Sequence, residues 1–292
     1  KNEERDEFDC YVDVSIPVTA PPDQAAALPA GFTWCTLDVN DPTQLKEIYK
    51  LLSLNYVEDS NHRFRFLYSE TLLKWALTTP GQIDDWIFGV RTKTGVLAGF
   101  IAGIPINIKL NGKSEPWCGV NLLCVHSRLR KKQMAPVLIS EMQRRVRLHK
   151  VYRAVFCGDQ IPSKPFAKSF YKHRPINLKK LSDIGFYPIT AKKMASAQKR
   201  FMTPKLVHGN VRPFNPETDI DGVVQLMNET NVNFKYDVDF TPDVVRHFFT
   251  PVNDVLYSYV IPNSNRIDAV FSFYLMNWSI LQDNGQVSEV RA

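Results

Sequence analysis

One pattern constrains this chain more than any other: a short strand, an amphipathic helix and a hairpin occur in that order twice. The first copy opens on Phe32-Thr33-Trp34-Cys35-Thr36-Leu37, whose alternation suits a strand with one buried face. Asp38 and Asp41 follow as helix-cap candidates, and Leu45, Ile48, Tyr49, Leu51 and Leu52 recur at helical spacing. Ser69 to Leu77 reads as a further helix, stopped by Pro80-Gly81. Trp86 to Arg91, a turn at Lys93-Thr94-Gly95 and Val96 to Ile106 predict a hairpin. The second copy opens on Val211 to Phe214, with Asp219 placed to cap a helix bearing Val223, Val224, Leu226 and Met227. Val255 to Ile261, a turn at Asn263-Ser264-Asn265 and Ile267 to Leu275 give its hairpin. The offset is roughly 170 to 180 residues. Two related α+β units, each an antiparallel sheet carrying helices, account for the pattern. The alternative is a chance meeting of two common motifs.

The copies are unequal. The first continues through a turn at Asn111-Gly112 into an apolar strand, Val120 to His126. A helix with Met134, Val137, Leu138, Met142 and Val146 on one face follows, then a strand from Tyr152 to Cys157. The second stops after its hairpin in the polar run Gln282 to Gln286, so this unit is expected to be incomplete. Pro17, Pro21, Pro22 and Pro29 exclude a long helix near the start. The expected organisation is an extended arm over 1–30, one unit over 31–204 and a partial second unit over 205–292. Because the chain begins with Lys, residues are expected to precede it.

Between the Val120 strand and its helix lie Arg128, Arg130, Lys131 and Lys132. A helix start leaves backbone N–H groups unpaired and carries partial positive charge, so it attracts phosphate. This is a seat for a pyrophosphate, with an apolar strand beside it for the reacting end of a ligand; an ordinary solvated basic loop is the alternative. The net charge of +6 and pI near 9.0 favour an anionic partner. Aromatic residues are not interleaved with the basic ones, which argues against nucleic acid. Five cysteines, an odd number without metal-knuckle spacing, fit single thiols in a reducing compartment and give no metal site. No run approaches the roughly 20 apolar residues of a membrane span, and the acidic N-terminus is not a signal peptide. A cytoplasmic protein is expected.

A series of ordered blocks adds a more specific signal. Asn55-Tyr56-Val57-Glu58-Asp59, Phe64-Arg65-Phe66 with Tyr68-Ser69, Trp75-Ala76-Leu77 with Pro80-Gly81, and Gly89-Val90-Arg91 come first. Asn121-Leu122-Leu123-Cys124-Val125-His126, Ala135-Pro136-Val137-Leu138-Ile139 with Arg144-Arg145-Val146, Tyr171 with His173-Arg174, Asn177 with Lys180-Leu181, and Ser272-Phe273-Tyr274 follow. In this succession the chain resembles the N-myristoyltransferases over roughly residues 28 to 280. The resemblance implies tandem acyltransferase units of the GNAT-like kind, with a mixed twisted sheet flanked by helices. It also implies an enzyme that moves a tetradecanoyl group from myristoyl-CoA to the amine of an N-terminal glycine.

The same resemblance assigns roles. The backbone amides of Leu122 and Leu123 would form an oxyanion hole, Asn121 would orient the amine, and Cys157 would stand where the family carries a hydroxyl-bearing Thr. Leu122, Leu123, Cys124, Val125, Arg130, Lys131, Lys132, Gln133, Met134 and Ala135 would hold myristoyl-CoA. Tyr56, Val57, Glu58, Asp59, Phe64, Phe66, Tyr68, Tyr171, His173 and Phe186 would contact the peptide. Glycine-initiated protein N-termini are the implied partners of what is expected to be a monomer. No nucleic acid is implied, and membranes would be met only through lipidated products. On their own chemistry, Met134, Leu138 and Met142 suit a core, Cys124 a buried small hydrophobe and His126 a structural role.

The departures are specific. Gly119 replaces a usual Glu, Gln133 a usual Arg, and Ser60 and Asn61 two acids of the acidic loop. The aromatic pair that lies against the acyl donor is not recognisable near Tyr11, Val12 and Asp13. A C-terminal portion of the family pattern, including the carboxylate thought to act as general base, lies outside this sequence. An impaired relative that binds acyl-CoA or peptide N-termini as an adaptor is therefore the alternative. With Ser60 and Asn61 in place of acids, a weak preference for Lys-bearing peptides is expected. Comparing rates on Lys and Ala variants of one peptide tests this; a strong Lys preference would count against it.

Overall fold

The computed structural model describes residues 20–110, 112–158, 170, 172–203, 210–232, 234, 236–264, 266–281 and 287–291. Two compact units separate. The described part of 158–203 forms one, and 20–157 together with 210–291 forms the other. In the larger unit the first half runs β1 (Phe32–Thr36), α1 (Pro42–Asn55), β2 (Phe64–Leu67), α2 (Glu70–Leu77), β3 (Ile87–Thr92), β4 (Leu97–Leu110), β5 (Lys113–Val125), α3 (Met134–Leu148) and β6 (Ala154–Val155). The smaller unit contains α4 (Leu178–Asp183) and α5 (Ala191–Phe201). The chain then returns to the larger unit with β7 (Arg212–Pro213), α6 (Ile220–Asn231), β8 (Tyr236–Val238), α7 (Pro242–Phe249), β9 (Leu256–Asn263), β10 (Arg266–Tyr274), β11 (Asn277–Leu281) and β12 (Val287–Arg291).

The repeat is visible in the pairing. β1, β3 and β4 lie side by side, all antiparallel, and β7, β9 and β10 repeat that arrangement. Each half also lends its second strand to the other. β8 adds to β4 at Ile108 to Leu110, while β2 pairs with β11, which follows β10 in the chain. The run after the second hairpin therefore includes strands β11 and β12 beside β2, not only a polar end. Residues 282–286 lie outside the described residues.

Strand alternation sends side chains to two cores on opposite faces of the first sheet. Ile87, Phe100 and Ala102 join Leu45, Ile48, Leu51 and Leu52 of α1 and Leu73 and Leu77 of α2. Phe88, Val90 and Ile101 join Met134, Leu138, Met142 and Val146 of α3. Each fully buried Leu, Ile or Phe contributes about 1.5–3 kcal/mol, so these contacts outweigh the few tenths per residue that helix propensity offers. α3 comes close to the sheet because β4 has glycine where it crosses. A Cβ at Gly103 would sit 2.7 Å from Cys118 Sγ and 3.2 Å from Met142 Sδ, and one at Gly99 would sit 3.2 Å from Leu138.

Capping follows the sequence at some helices and not at others. The Asp41 carboxylate accepts the Thr43 amide at 2.8 Å, and Ser69 accepts the Leu72 amide at 3.1 Å. Asp38 instead closes a turn on the Asn40 amide at 2.8 Å. Asp219 does not cap α6, because both of its oxygens are taken by Arg212, at 2.6 and 2.7 Å. The expected strand from Tyr152 to Cys157 shortens to Ala154–Val155, where pairing with β5 ends. On the other face Glu141, fully buried, accepts Arg144 and Arg145 together with the Ala26 amide of the arm.

The hydrogen bonds from Arg212 hold the Asp219 carboxyl below the usual carboxylate range. A group with a lowered folded pKa adds stability above its unfolded value near 3.9 and loses it as pH falls through the folded value. The urea midpoint of Asp219→Asn should therefore lie well below that of the parent at neutral pH, and the gap should close as pH falls below about 3.9 and through the lowered folded value. A gap that stays constant from neutral to acid pH would show that the ion pair is not its source.

Candidate functional site

The site begins with an irregularity in β5. Phe100 pairs with Cys124, but Ala102 pairs with Asn121, so Leu122 and Leu123 together stand opposite Ile101. This is a β-bulge, which leaves the extra residue out of the ladder. Leu122 takes it up with φ of +56°, a left-handed conformation that costs a branched residue roughly 1–2 kcal/mol. The bulge is held by its side chains. Leu122 is buried in the core under α1, and Leu123 packs against the core under α3. A backbone role at these leucines is thus compatible with a packing role for their side chains.

The other edge of β5 opens just before the bulge. β6 pairs with β5 in parallel at Cys118 and Gly119. Among the described residues, no strand pairs with Val120 to Val125 on that edge. A splayed pair of strands with a bulge at the fork leaves main-chain groups available to a ligand. Asn121, exposed, stands at the fork, and its Oδ1 accepts the Leu122 amide at 2.8 Å. The Leu122 donor is therefore already engaged by its neighbour, a contact that spacing in sequence did not announce. The Tyr56 hydroxyl also lies against that amide; burial, with the nearby Cys124 thiol, pushes its pKa up to about 12.

Beyond the strand, the basic loop leads into α3. Lys131 and Gln133 both have positive φ, at +60° and +61°. Such left-handed steps turn successive amides toward a common concavity that suits anions. α3 starts without a side-chain cap and without an acidic residue in its first turn. Pro136 lacks an N–H, so Met134 and Ala135 provide the amides at its start. Lys131, Lys132 and Gln133 are exposed, whereas Met134, Leu138 and Met142 are buried core residues. His126 is structural: its Nδ1 accepts the Arg128 amide at 3.2 Å.

One residue fixes this loop, and sequence reasoning passed over it as a component of a block. Asn55, buried at the end of α1, accepts the Ser127 amide at 2.9 Å and donates to the Leu51 carbonyl at 2.9 Å. Its own carbonyl accepts Arg130 Nη2 at 2.5 Å. Arg130 is thereby committed to the loop's framework at that nitrogen.

The acidic loop is likewise built around its own carboxylates. Glu58 is bound by Arg65 Nη2 at 2.5 Å and by His62 at 2.7 Å. Asp59 accepts the amides of Arg63 and Phe64, both at 2.7 Å, and that of Asn61 at 3.2 Å. Burial would raise both groups, but these partners more than offset it and hold them below the usual range. Val57 is exposed beside them. Phe66 and Tyr68 lie 6.4 Å apart, and Tyr56 meets Tyr68 edge-on at 5.6 Å. Trp278 of β11, absent from the sequence expectations, tilts against Phe66 at 4.1 Å and meets Phe64 at 6.4 Å. Only the pairing of β2 with β11 reveals it.

The remaining candidates are dispersed. Cys124 is buried and its thiol is pushed up to about 12 by burial, as suits a small hydrophobe; Val125 is half-buried. Cys157 is exposed at the end of the larger unit's first segment. His173 and Phe186 meet edge-on at 6.1 Å within the smaller unit. Tyr171 and the segment around Tyr11 lie outside the described residues. Among the described residues, no group of His, Cys, Asp and Glu side chains is arranged to hold a metal ion, and no helix is long and apolar enough to cross a membrane.

Replacing Asn55 by Ala leaves the Ser127 amide without its acceptor, at a cost of about 1–3 kcal/mol. The Asn55→Ala protein should unfold at lower urea and be cut faster by trypsin between Arg128 and Lys132. Unchanged cutting would mean that Asn55 does not hold the loop.

Comparisons with known proteins give the family of the chain. The family model described as "Myristoyl-CoA:protein N-myristoyltransferase, N-terminal domain" matches residues 11–169, and that of the C-terminal domain matches 183–292. A glycylpeptide N-tetradecanoyltransferase of Plasmodium falciparum is 37% identical over 259 residues, covering 88% of this chain and 63% of the relative. One from Dictyostelium discoideum is 40% identical over 259 residues, covering 87% and 62%. The crystal structure of Saccharomyces cerevisiae N-myristoyltransferase with bound myristoyl-CoA superposes with a TM-score of 0.86 at 33% identity, covering 93% of this chain and 66% of that one. The chain thus spans a little over three fifths of the length of these curated relatives. On the family models, the identities and the shared fold, this chain belongs to the N-myristoyltransferase family.

Proposed function

We propose that the protein transfers a myristoyl group from myristoyl-CoA to the N-terminal glycine amine of protein substrates. The observation that carries this reading is the β5 bulge at Leu122 and Leu123, at the open edge of the strand that leads into a basic, uncapped helix start. The amine nitrogen attacks the thioester carbonyl, the carbon–sulfur bond breaks, and CoA leaves as the thiol. Charge develops on the carbonyl oxygen, where fixed backbone donors are worth about 10²–10³ in rate each. The Leu122 and Leu123 amides are the proposed donors, and Asn121 must release the Leu122 amide before it can serve. Once released, the Asn121 side chain is free to orient the incoming amine. Cys157 is proposed to stand near the amine as a weak hydrogen-bonding group.

The CoA phosphates are assigned to the loop from Lys131 to Ala135, with Cys124, Val125 and the bulge leucines beside the thioester and Arg130 framing the loop. The peptide is assigned to the aromatic wall of Phe64, Phe66 and Tyr68, with Tyr56, Val57, Glu58 and Asp59 shaping it; Tyr171, His173 and Phe186 are assigned to peptide contacts by the family resemblance alone. The unit 31–204 is proposed to bind acyl-CoA, with 205–292 as a partial second unit of the same kind. A monomeric, cytoplasmic enzyme without nucleic-acid partners is the corresponding cellular reading. The engaged Leu122 amide favours a second reading, an adaptor that binds acyl-CoA without turnover.

Incubation with labelled myristoyl-CoA and a glycine-initiated peptide separates the two. Transfer supports the enzyme, and binding without transfer supports the adaptor. In an active protein, Lys131→Ala with Lys132→Ala should raise KM for myristoyl-CoA about tenfold with little change in kcat, because two charge-assisted contacts are lost. An unchanged KM would place the phosphates elsewhere.

A further inference from the structure

The net positive charge of this chain comes from one region. Residues 158–209 contain eleven Lys and Arg against two Asp, an excess of nine, whereas the whole chain's excess is six. The other 240 residues are therefore net negative by three. Within the smaller unit, Lys172, Lys180, Lys192, Lys193, Lys199 and Arg200 are all exposed. Lys179 pairs with Asp183 at 2.7 Å. Along α5 the half-buried positions are Met194, Ala197 and Phe201, a helical stripe, and the four cations of that helix are exposed.

Apolar side chains stand in the same unit. Ile176 is 89% exposed, Phe170 73% and Met202 70%. Ile176 and Met202 line a depression of about 480 Å³ together with buried Leu178, half-buried Phe201 and the charged Lys179. Exposed cations beside exposed aliphatic and aromatic side chains match a bilayer interface, where the charges meet anionic headgroups and the apolar groups enter the acyl boundary. Nucleic acid would use the cations but would leave Ile176 and Met202 in water.

We propose that this unit, through α5 and the Ile176–Met202 depression, docks the protein on anionic phospholipid membranes. The chain itself then touches the bilayer, which replaces the expectation that its lipidated products alone do so. The proposal does not depend on the transfer reaction.

Co-sedimentation of the full chain with phosphatidylcholine vesicles, with and without phosphatidylserine, tests it. Binding is expected only with phosphatidylserine and should fade in high salt. Lys192→Glu with Lys193→Glu, Lys199→Glu and Arg200→Glu should weaken it by more than about tenfold. Ile176→Asp with Met202→Asp should weaken it also, while the net charge stays strongly positive in this unit. All of these positions are exposed, and unchanged thermal melting confirms that the variants are folded. Equal binding to both vesicle types, or none to either, overturns the proposal. So does a result in which the charge variant fails, the Ile176–Met202 variant binds as the parent does, and single-stranded RNA displaces the vesicles; that pattern marks a nucleic-acid surface.

Discussion

Everything at the site depends on one extra residue in β5. Two residues opposite Ile101 break a ladder that would otherwise run in register along the strand. A left-handed leucine is an expensive way to build that break, and glycine would adopt the same φ without penalty. The structure holds leucine there because its side chain is 3% exposed, within the core under α1. Fully burying a leucine is worth about 1.5–3 kcal/mol, which exceeds the roughly 1–2 kcal/mol cost of the backbone. Strain and packing are thus coupled at one residue, and the bulge cannot relax without emptying part of the core.

The reciprocal loan of strands explains how the acidic loop is held. β2 leaves the first sheet's order and pairs with β11, and β8 pairs with β4. The aromatic wall of Phe64 and Phe66 is therefore buttressed by Trp278 from the other half. α2 and α7 are joined as well: Trp75 Nε1 donates to the His247 carbonyl at 3.2 Å, and His247 Nε2 lies 3.0 Å from the Trp75 carbonyl. Their rings stack 5.8 Å apart. Neither half of the repeat is complete by itself, although each supplies its own hydrophobic core.

Periodicity made the repeated strands and helices legible, because alternation and 3.6-residue spacing reflect burial directly. The Asp41 cap and the core face of Met134, Leu138 and Met142 were legible for the same reason. What failed was long-range. Asp219 looks like a cap until Arg212, seven residues earlier, is seen to take both oxygens. Asn55 binds across 72 residues to Ser127, and Trp278 reaches Phe66 through a strand exchange that no local pattern encodes. Asn121 stands among the candidates the sequence offers, but its role as the acceptor that occupies the Leu122 amide is visible only in the fold.

The acidic loop shows how a compositional reading of charge differs from an electrostatic one. By count, Glu58 and Asp59 are anions beside a groove. In the fold, Glu58 faces Arg65 and His62, and Asp59 is enclosed by three backbone amides. A carboxylate offers about four lone-pair positions, so each hydrogen bond it already accepts, worth about 1.5–3 kcal/mol at a charged group, leaves less of it for a lysine. A surface pair with an incoming lysine returns about 0–1 kcal/mol. Glu58 and Asp59 are thus held by groups of their own loop, and the shape of the loop rests on them. The missing acids at Ser60 and Asn61 would have stood in the exposed part of the same loop, where no internal partner competes for them as strongly.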